Sequence, residues 1–102
     1  MIQFVLDTDR QLFEDAFQFA QQQVRKLIDN HPNFYPMYTV EGRWKHEGQV
    51  WTSWCDGFLP GIMWIFHKRN LALGSADKSW LEQATRYTTP LAPCLLYTSR
   101  CV

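Results

Sequence analysis

Apolar side chains recur through the first third of the chain at the spacing of an amphipathic helix. Between residues 9 and 29 they follow one another at three- and four-residue steps, which is the period of an α-helix. They are Leu12, Phe13, Ala16, Phe17, Ala20, Val24, Leu27 and Ile28. Thr8 and Gln11 fit a capping box at the start, and Asn30 and Pro32 are typical of an end. The pattern predicts a helix over residues 9–29.

The middle of the chain lacks a helical period and is rich in aromatic residues. Within residues 31–53, the runs 38–40 and 49–52 resemble short strands, and the pairs Glu41-Gly42 and Glu47-Gly48 resemble turns. We predict a long ordered loop containing a small hairpin. A crowded core would explain part of the aromatic enrichment, but ordered long loops commonly line functional sites.

A second helix is predicted to begin near Asp56 and to be apolar on nearly every side. Its apolar residues are Phe58, Leu59, Ile62, Met63, Trp64, Ile65 and Phe66. Asp56 or Gly57 would cap its start, Pro60 falls in the first turn, and Asn70 is suited to the left-handed position at its end. A helix that is apolar all round is enclosed by protein.

A third, amphipathic helix is predicted from Asp77 to Thr88, ended by Pro90 and Pro93. The fold class is therefore all-α, with about three helices and a long aromatic loop. An inner apolar helix needs more partners than two amphipathic neighbours provide. We therefore expect the chain to be a piece of a larger assembly of helices.

Composition and charge exclude several classes of function. Ten basic side chains balance ten acidic ones, so no net field attracts nucleic acid or a membrane surface. No apolar run reaches the roughly 18 residues that span a bilayer, and the first residues do not resemble a secretory signal. Three cysteines and three histidines at unrelated spacings predict no metal site. These features predict a soluble, cytoplasmic protein.

Candidate chemistry concentrates at the start of the second helix. Asp56 stands there as an N-cap or, alternatively, as a carboxylate at a sugar site. Trp51 and Trp54 precede it, and a flat indole suits the apolar face of a sugar ring. The alternative is that both indoles pack the loop against the core, which composition alone slightly favours.

Two segments carry a resemblance to a known family. They are Tyr38-Thr39-Val40-Glu41-Gly42-Arg43-Trp44 and the run Trp-x-Asp-Gly-Phe-x-Pro-Gly-x-x-Trp from Trp54 to Trp64. Residues 10–92 resemble the N-terminal part of glycoside hydrolase family 88, the unsaturated glucuronyl hydrolases.

The resemblance implies an α/α toroid of six helical hairpins around a central pocket. It implies hydrolysis of lyase-generated oligosaccharides that carry a 4,5-unsaturated uronic acid, by hydration of the enol ether and without a metal or organic cofactor. Trp54 matches a family residue that lines the sugar pocket. Asp56 matches an acidic residue at the helix start that is not the catalytic acid, and we place Trp54, Trp51 and Asp56 in a substrate-binding set.

The resemblance ends near Pro93. Residues 1–93 would form part of a toroid domain, and residues 94–102 resemble a non-native tail. The family's two active-site aspartates have no counterpart here, so we assign no catalytic residue and predict an inactive fragment. Two alternatives remain: an unsaturated rhamnogalacturonyl hydrolase on the same toroid, and a non-catalytic carbohydrate-binding or helical interaction module.

Overall fold

The computed structural model describes the backbone of residues 2–46 and 55–92, with side chains from Thr8 onwards within these ranges. The described chain is mostly helical, which confirms the all-α prediction at that coarse level. It divides into two compact units, Met1–Pro32 and Asn33–Val102. Residues 94–102 lie outside the described residues.

The first unit consists of helix α1, Ile2–Asn30. Its end agrees with the prediction, and the His31 N–H still donates to the Leu27 carbonyl at 2.8 Å. Its start does not agree, because the helix begins at Ile2 and Thr8 lies inside it. Residues 2–8 contain no Gly or Pro, so a nucleated helix extends through them at little cost.

The second unit opens on a small hairpin formed by β1, Tyr38–Val40, and β2, Arg43–Lys45. The strands are antiparallel, with Val40 opposite Arg43, so only Glu41 and Gly42 form the turn. Both have positive φ, 51° and 77°, as a type I′ turn requires. The predicted turn at Glu41-Gly42 is confirmed, and the predicted run 49–52 lies outside the described residues.

Helix α2, Phe58–Ala72, begins where the sequence predicts. Gly57 occupies the N-cap position and Pro60 lies in the first turn, where a missing N–H breaks no helical hydrogen bond. Asp56 therefore lies one residue before the cap.

The sequence predicts that α2 ends at Asn70, and this prediction is wrong. The helix continues to Ala72, and Gly74 takes the left-handed conformation with φ 71°. Gly74 N–H donates to the Leu71 carbonyl and Ser75 N–H to the Asn70 carbonyl, which together form a Schellman motif. Glycine adopts this conformation without the steric cost that Asn70 would incur.

Helix α3, Ser79–Thr88, packs against α2 and continues into a 3₁₀ turn at Thr89–Leu91. It starts two residues later than predicted, and the Asp77 carboxylate accepts the Ser79 N–H at 2.8 Å. The core between the helices consists of Leu59, Met63, Phe66, Trp80, Ala84 and Tyr87. The Phe66 and Trp80 rings lie 4.8 Å apart.

Part of the surface of α2 is apolar and open to solvent. Phe58 is 69% exposed and Ile65 is 52% exposed, and Leu71 is also exposed. Trp64 is exposed as well, although its Nε1 donates to Thr88 on α3. The expected exposure of Trp64 is confirmed. The corresponding expectations for Trp51 and Trp54 fall outside the described residues.

Candidate functional site

Of the three predicted substrate-binding residues, the structure describes Asp56. Trp51 and Trp54 lie outside the described residues, so their assignment stays a prediction. The site is therefore built from Asp56 and from the side chains around it in the second unit.

Asp56 forms a buried pair with His46. His46 Nε2 lies 3.0 Å from Asp56 Oδ1, and the two side chains are 9% and 2% exposed. His46 directly follows β2, while Asp56 lies in the turn that leads into α2. The pair thus ties the end of the hairpin to the start of the apolar helix.

His46 is the residue that sequence reasoning missed. It has no second ligand or nucleophile at a recognisable spacing. His46 and Asp56 belong to different elements, so no periodicity within one helix or strand brings them together. Only its position in the sequence could have pointed to His46, because His46 and Asp56 flank the segment that contains both predicted sugar-binding tryptophans.

An aromatic ring supports the imidazole. Phe34 packs edge-on against His46, with ring centroids 6.4 Å apart and planes at 71°. The imidazole is thus oriented by a carboxylate through one nitrogen and by an apolar contact along its ring.

Next to Phe34, Tyr35 connects the same loop to α3. Its hydroxyl donates to the Tyr87 carbonyl at 2.6 Å, and the two rings meet edge-on at 5.3 Å. Burial raises the pKa of Tyr35 to about 12, with smaller contributions from Tyr87 and from the negative charge of Asp56. Tyr35 is therefore a neutral hydrogen-bond donor at physiological pH.

The start of the loop is fixed by Asn33, which has a φ of 63°. Its N–H donates to the Tyr87 hydroxyl at 2.9 Å, and its Oδ1 accepts from Arg86 Nε at 3.0 Å. Asparagine tolerates the left-handed conformation better than most residues. The loop 33–37 is thus held on α3 by side-chain hydrogen bonds at both Asn33 and Tyr35.

The arrangement can orient the imidazole ring of His46 through its contact with the Asp56 carboxylate. A carboxylate bound to one ring nitrogen fixes the tautomer and the direction of the ring. In the part of the chain that the structure describes, no three His, Cys, Asp or Glu side chains are grouped so as to hold a metal ion.

Comparisons with known proteins give no further identification: no family model, curated protein or solved structure matches the chain. Within residues 2–46 and 55–92, no helix combines the length and hydrophobicity needed to cross a bilayer.

Proposed function

We propose that this chain is the N-terminal part of an α/α toroid hydrolase that removes 4,5-unsaturated uronic acid from lyase-generated oligosaccharides. The observation that carries the proposal is the run from Trp54 to Trp64, which coincides with the start of the apolar helix α2. In this proposal α2 is an inner helix, and further helical hairpins cover its exposed apolar side.

The open side of α2 supports this architecture. A helix at the surface of a finished globular protein presents polar residues to water. Phe58 and Ile65 instead leave more than half of their surface exposed. Large exposed apolar patches mark places where other protein surfaces pack.

In this proposal the chain supplies part of the substrate pocket and the proton donor lies elsewhere. Trp54 stacks on a sugar ring, Trp51 contributes a second apolar surface, and Asp56 helps to form the pocket from within the protein. The reaction protonates the enol ether double bond, adds water at the neighbouring carbon and opens the resulting hemiketal.

The test begins with the DNA that follows codon 93. We expect an open frame that encodes further helical hairpins and active-site aspartates. The product of the complete reading frame is then incubated with unsaturated glucuronyl and rhamnogalacturonyl disaccharides, and loss of the ultraviolet absorbance of the double bond is followed. Turnover of either substrate supports the hydrolase and identifies the sugar. A genomic stop codon after this segment, or binding of sugars without turnover, would favour the non-catalytic module.

A substitution at Trp54 tests the sugar contact. Trp54→Ala in the complete protein should weaken substrate binding by about 1–3 kcal/mol, which corresponds to a lost buried aromatic contact. The specificity constant is the quantity to measure, with circular dichroism to confirm folding. An unchanged specificity constant in a folded variant would exclude stacking at this position.

A further inference from the structure

One line of side chains along α1 is exposed over its whole length. Its positions follow one another at alternating steps of three and four residues, which places them on one side of the helix and is the heptad spacing of a coiled coil. We call this line the α1 seam. Its six residues are Asp9, Leu12, Ala16, Phe19, Gln23 and Lys26. All six are exposed, and Leu12 and Phe19 leave 64% and 62% of their surface in water.

The seam is distinct from the side of α1 that is already covered. Phe17 and Val24 are half-buried and Ile28 is buried, whereas Leu12 and Phe19 are open to solvent. A helix at the surface of a globular protein packs one apolar stripe and presents polar residues elsewhere. The apolar residues of α1 therefore form two groups, and the seam is the group that remains open.

The centre of the seam is self-complementary in shape when two copies of α1 run antiparallel. With a two-fold axis between Ala16 and Phe19, the large ring of Phe19 in each copy lies opposite the small Ala16 of the other. Leu12 then lies opposite the aliphatic stem of Gln23 of the other copy. The two apolar residues that are most exposed along the seam are thus covered in both copies at once.

The charges at the ends of the seam select the same arrangement. Asp9 begins the seam and Lys26 ends it, so an antiparallel pair places Asp9 of each copy opposite Lys26 of the other. A parallel pair would place like charges opposite each other at both ends, which is unfavourable. An acidic end, an apolar centre and a basic end are what a two-fold contact between antiparallel helices requires.

We propose that the α1 seam is a dimer interface, in which α1 pairs antiparallel with α1 of a second copy of this chain. The contact extends for about 26 Å, or about five helical turns. It is independent of the proposed function, because it uses none of the residues assigned to the sugar site.

The test measures the mass of the 102-residue chain in solution by sedimentation equilibrium over a range of concentrations. Phe19→Glu places a charge at the centre of the seam. Ile65→Glu is the matched control, because it makes the same kind of change at an exposed apolar residue of α2. Circular dichroism of each variant checks that the helix content is retained.

Charge reversal tests the direction of the two helices. Asp9→Lys and Lys26→Glu each place like charges opposite each other at both ends of the antiparallel contact. The double variant Asp9→Lys/Lys26→Glu exchanges the two charges and restores opposite pairs. Restoration by the double variant requires that the two positions meet across the interface.

We expect the wild type to approach twice the 12.1 kDa mass of the single chain, with a dissociation constant on the order of 10 μM because the contact is small. Phe19→Glu should be monomeric, since a carboxylate would be desolvated in both copies, and Ile65→Glu should dimerise like the wild type. Each single reversal should raise the dissociation constant about tenfold, because it affects two pairs in the symmetric dimer. The double variant should return it to near the wild-type value.

Three results would overturn the proposal. The wild type could remain monomeric at about tenfold above the expected dissociation constant. Association could be lost in Ile65→Glu and kept in Phe19→Glu, which would assign it to α2. The double reversal could bind no better than the single ones, which would show that the seam meets a different surface. The proposed hydrolase is tested separately by turnover, so each of these results leaves it standing.

Discussion

At the scale of single residues, buried polar groups connect the aromatic loop to the helices. Tyr35 donates to the Tyr87 carbonyl and Asn33 donates to the Tyr87 hydroxyl, so one residue of α3 accepts two hydrogen bonds from the loop. A buried acceptor that loses its donor costs about 1–3 kcal/mol, more than a hydrogen bond contributes on balance. These contacts therefore help to hold the loop in its conformation against α3.

Tyr35→Phe provides the prediction at this scale. At neutral pH the variant should lose about 1 kcal/mol of unfolding free energy, because the Tyr87 carbonyl loses its donor. Folding raises the pKa of Tyr35 from 10.0 to about 12. Between these pH values the folded protein keeps a proton that the unfolded chain has lost, so stability falls as the pH rises through this window and is fully present below it.

Urea denaturation of the wild type and of Tyr35→Phe, from pH 7 to about pH 11.5, measures how the free energy of unfolding of each protein depends on pH. The wild type should lose stability more steeply than Tyr35→Phe above pH 10. Linkage removes about 2 kcal/mol from the wild type by pH 11.5, so the two curves should approach each other and cross. Parallel curves would show that Tyr35 does not titrate with a raised pKa.

The sequence predicts the burial of some residues but not the contacts between others. The spacing of the apolar residues predicts one shared side of α3, made of Trp80, Leu81, Ala84, Tyr87 and Thr88. Of these, Trp80, Ala84 and Tyr87 are buried, while Leu81 and Thr88 are half-buried. The His46–Asp56 contact was not predicted, because it depends on how the hairpin returns to the helix start. Periodicity reports which face of an element is buried but carries no information about contacts between polar side chains of different elements.

At the scale of elements, residues with special backbone conformations, glycine and proline, mark where the helices end. Helix α2 ends where Gly74 adopts a positive φ, and α1 ends before Pro32. The ends signalled by Pro were predicted correctly. The start of α1 and the end of α2 were not, because Thr8 and Asn70 are capping residues that a helix also accepts in its interior.

Replacing glycine by alanine should have opposite effects on stability at Gly61, within α2, and at Gly74, just after its end. Gly74 has a φ of 71°, so Gly74→Ala should destabilise the protein by about 1–2 kcal/mol. Gly61 lies within the helix, and a methyl group on its Cα would meet no atom within 4 Å. Gly61→Ala should therefore stabilise the protein by up to about 1 kcal/mol. Thermal melts of both variants beside the wild type measure the difference. Shifts of the same sign would contradict the assigned end of α2.

At the scale of the whole molecule, the question is what covers the open side of α2. Under the proposed function, residues 1–102 alone should show no loss of double-bond absorbance with either disaccharide, because the active-site aspartates that the resemblance implies have no counterpart in this sequence. The exposed Ile65 gives a more direct test, because a charge there is tolerated in water and is expensive in a protein interior.

Ile65→Lys should therefore have opposite consequences in two proteins. In the 102-residue chain it should change stability by no more than about 0.5 kcal/mol and reduce binding of an apolar fluorescent dye. In the product of the complete reading frame it should unfold or strongly destabilise the protein, because α2 would be enclosed there. Met63→Lys, at a fully buried position, is the control that should be destabilising in both. Equal tolerance of Ile65→Lys in both would argue against an inner helix.

The hairpin turn has a consequence for the order in which the second unit folds. Its two central residues already have the φ values that match the strand twist, and it closes a loop of only two residues. Such hairpins form in about 1–10 μs, whereas the bond from Tyr35 to Tyr87 joins positions 52 residues apart and forms more slowly. A hairpin that forms first would bring Tyr35 and His46, on either side of the strands, close together before either contacts a helix. Because the hairpin lies between Tyr35 and Tyr87, its formation shortens the loop that the hydrogen bond between them has to close.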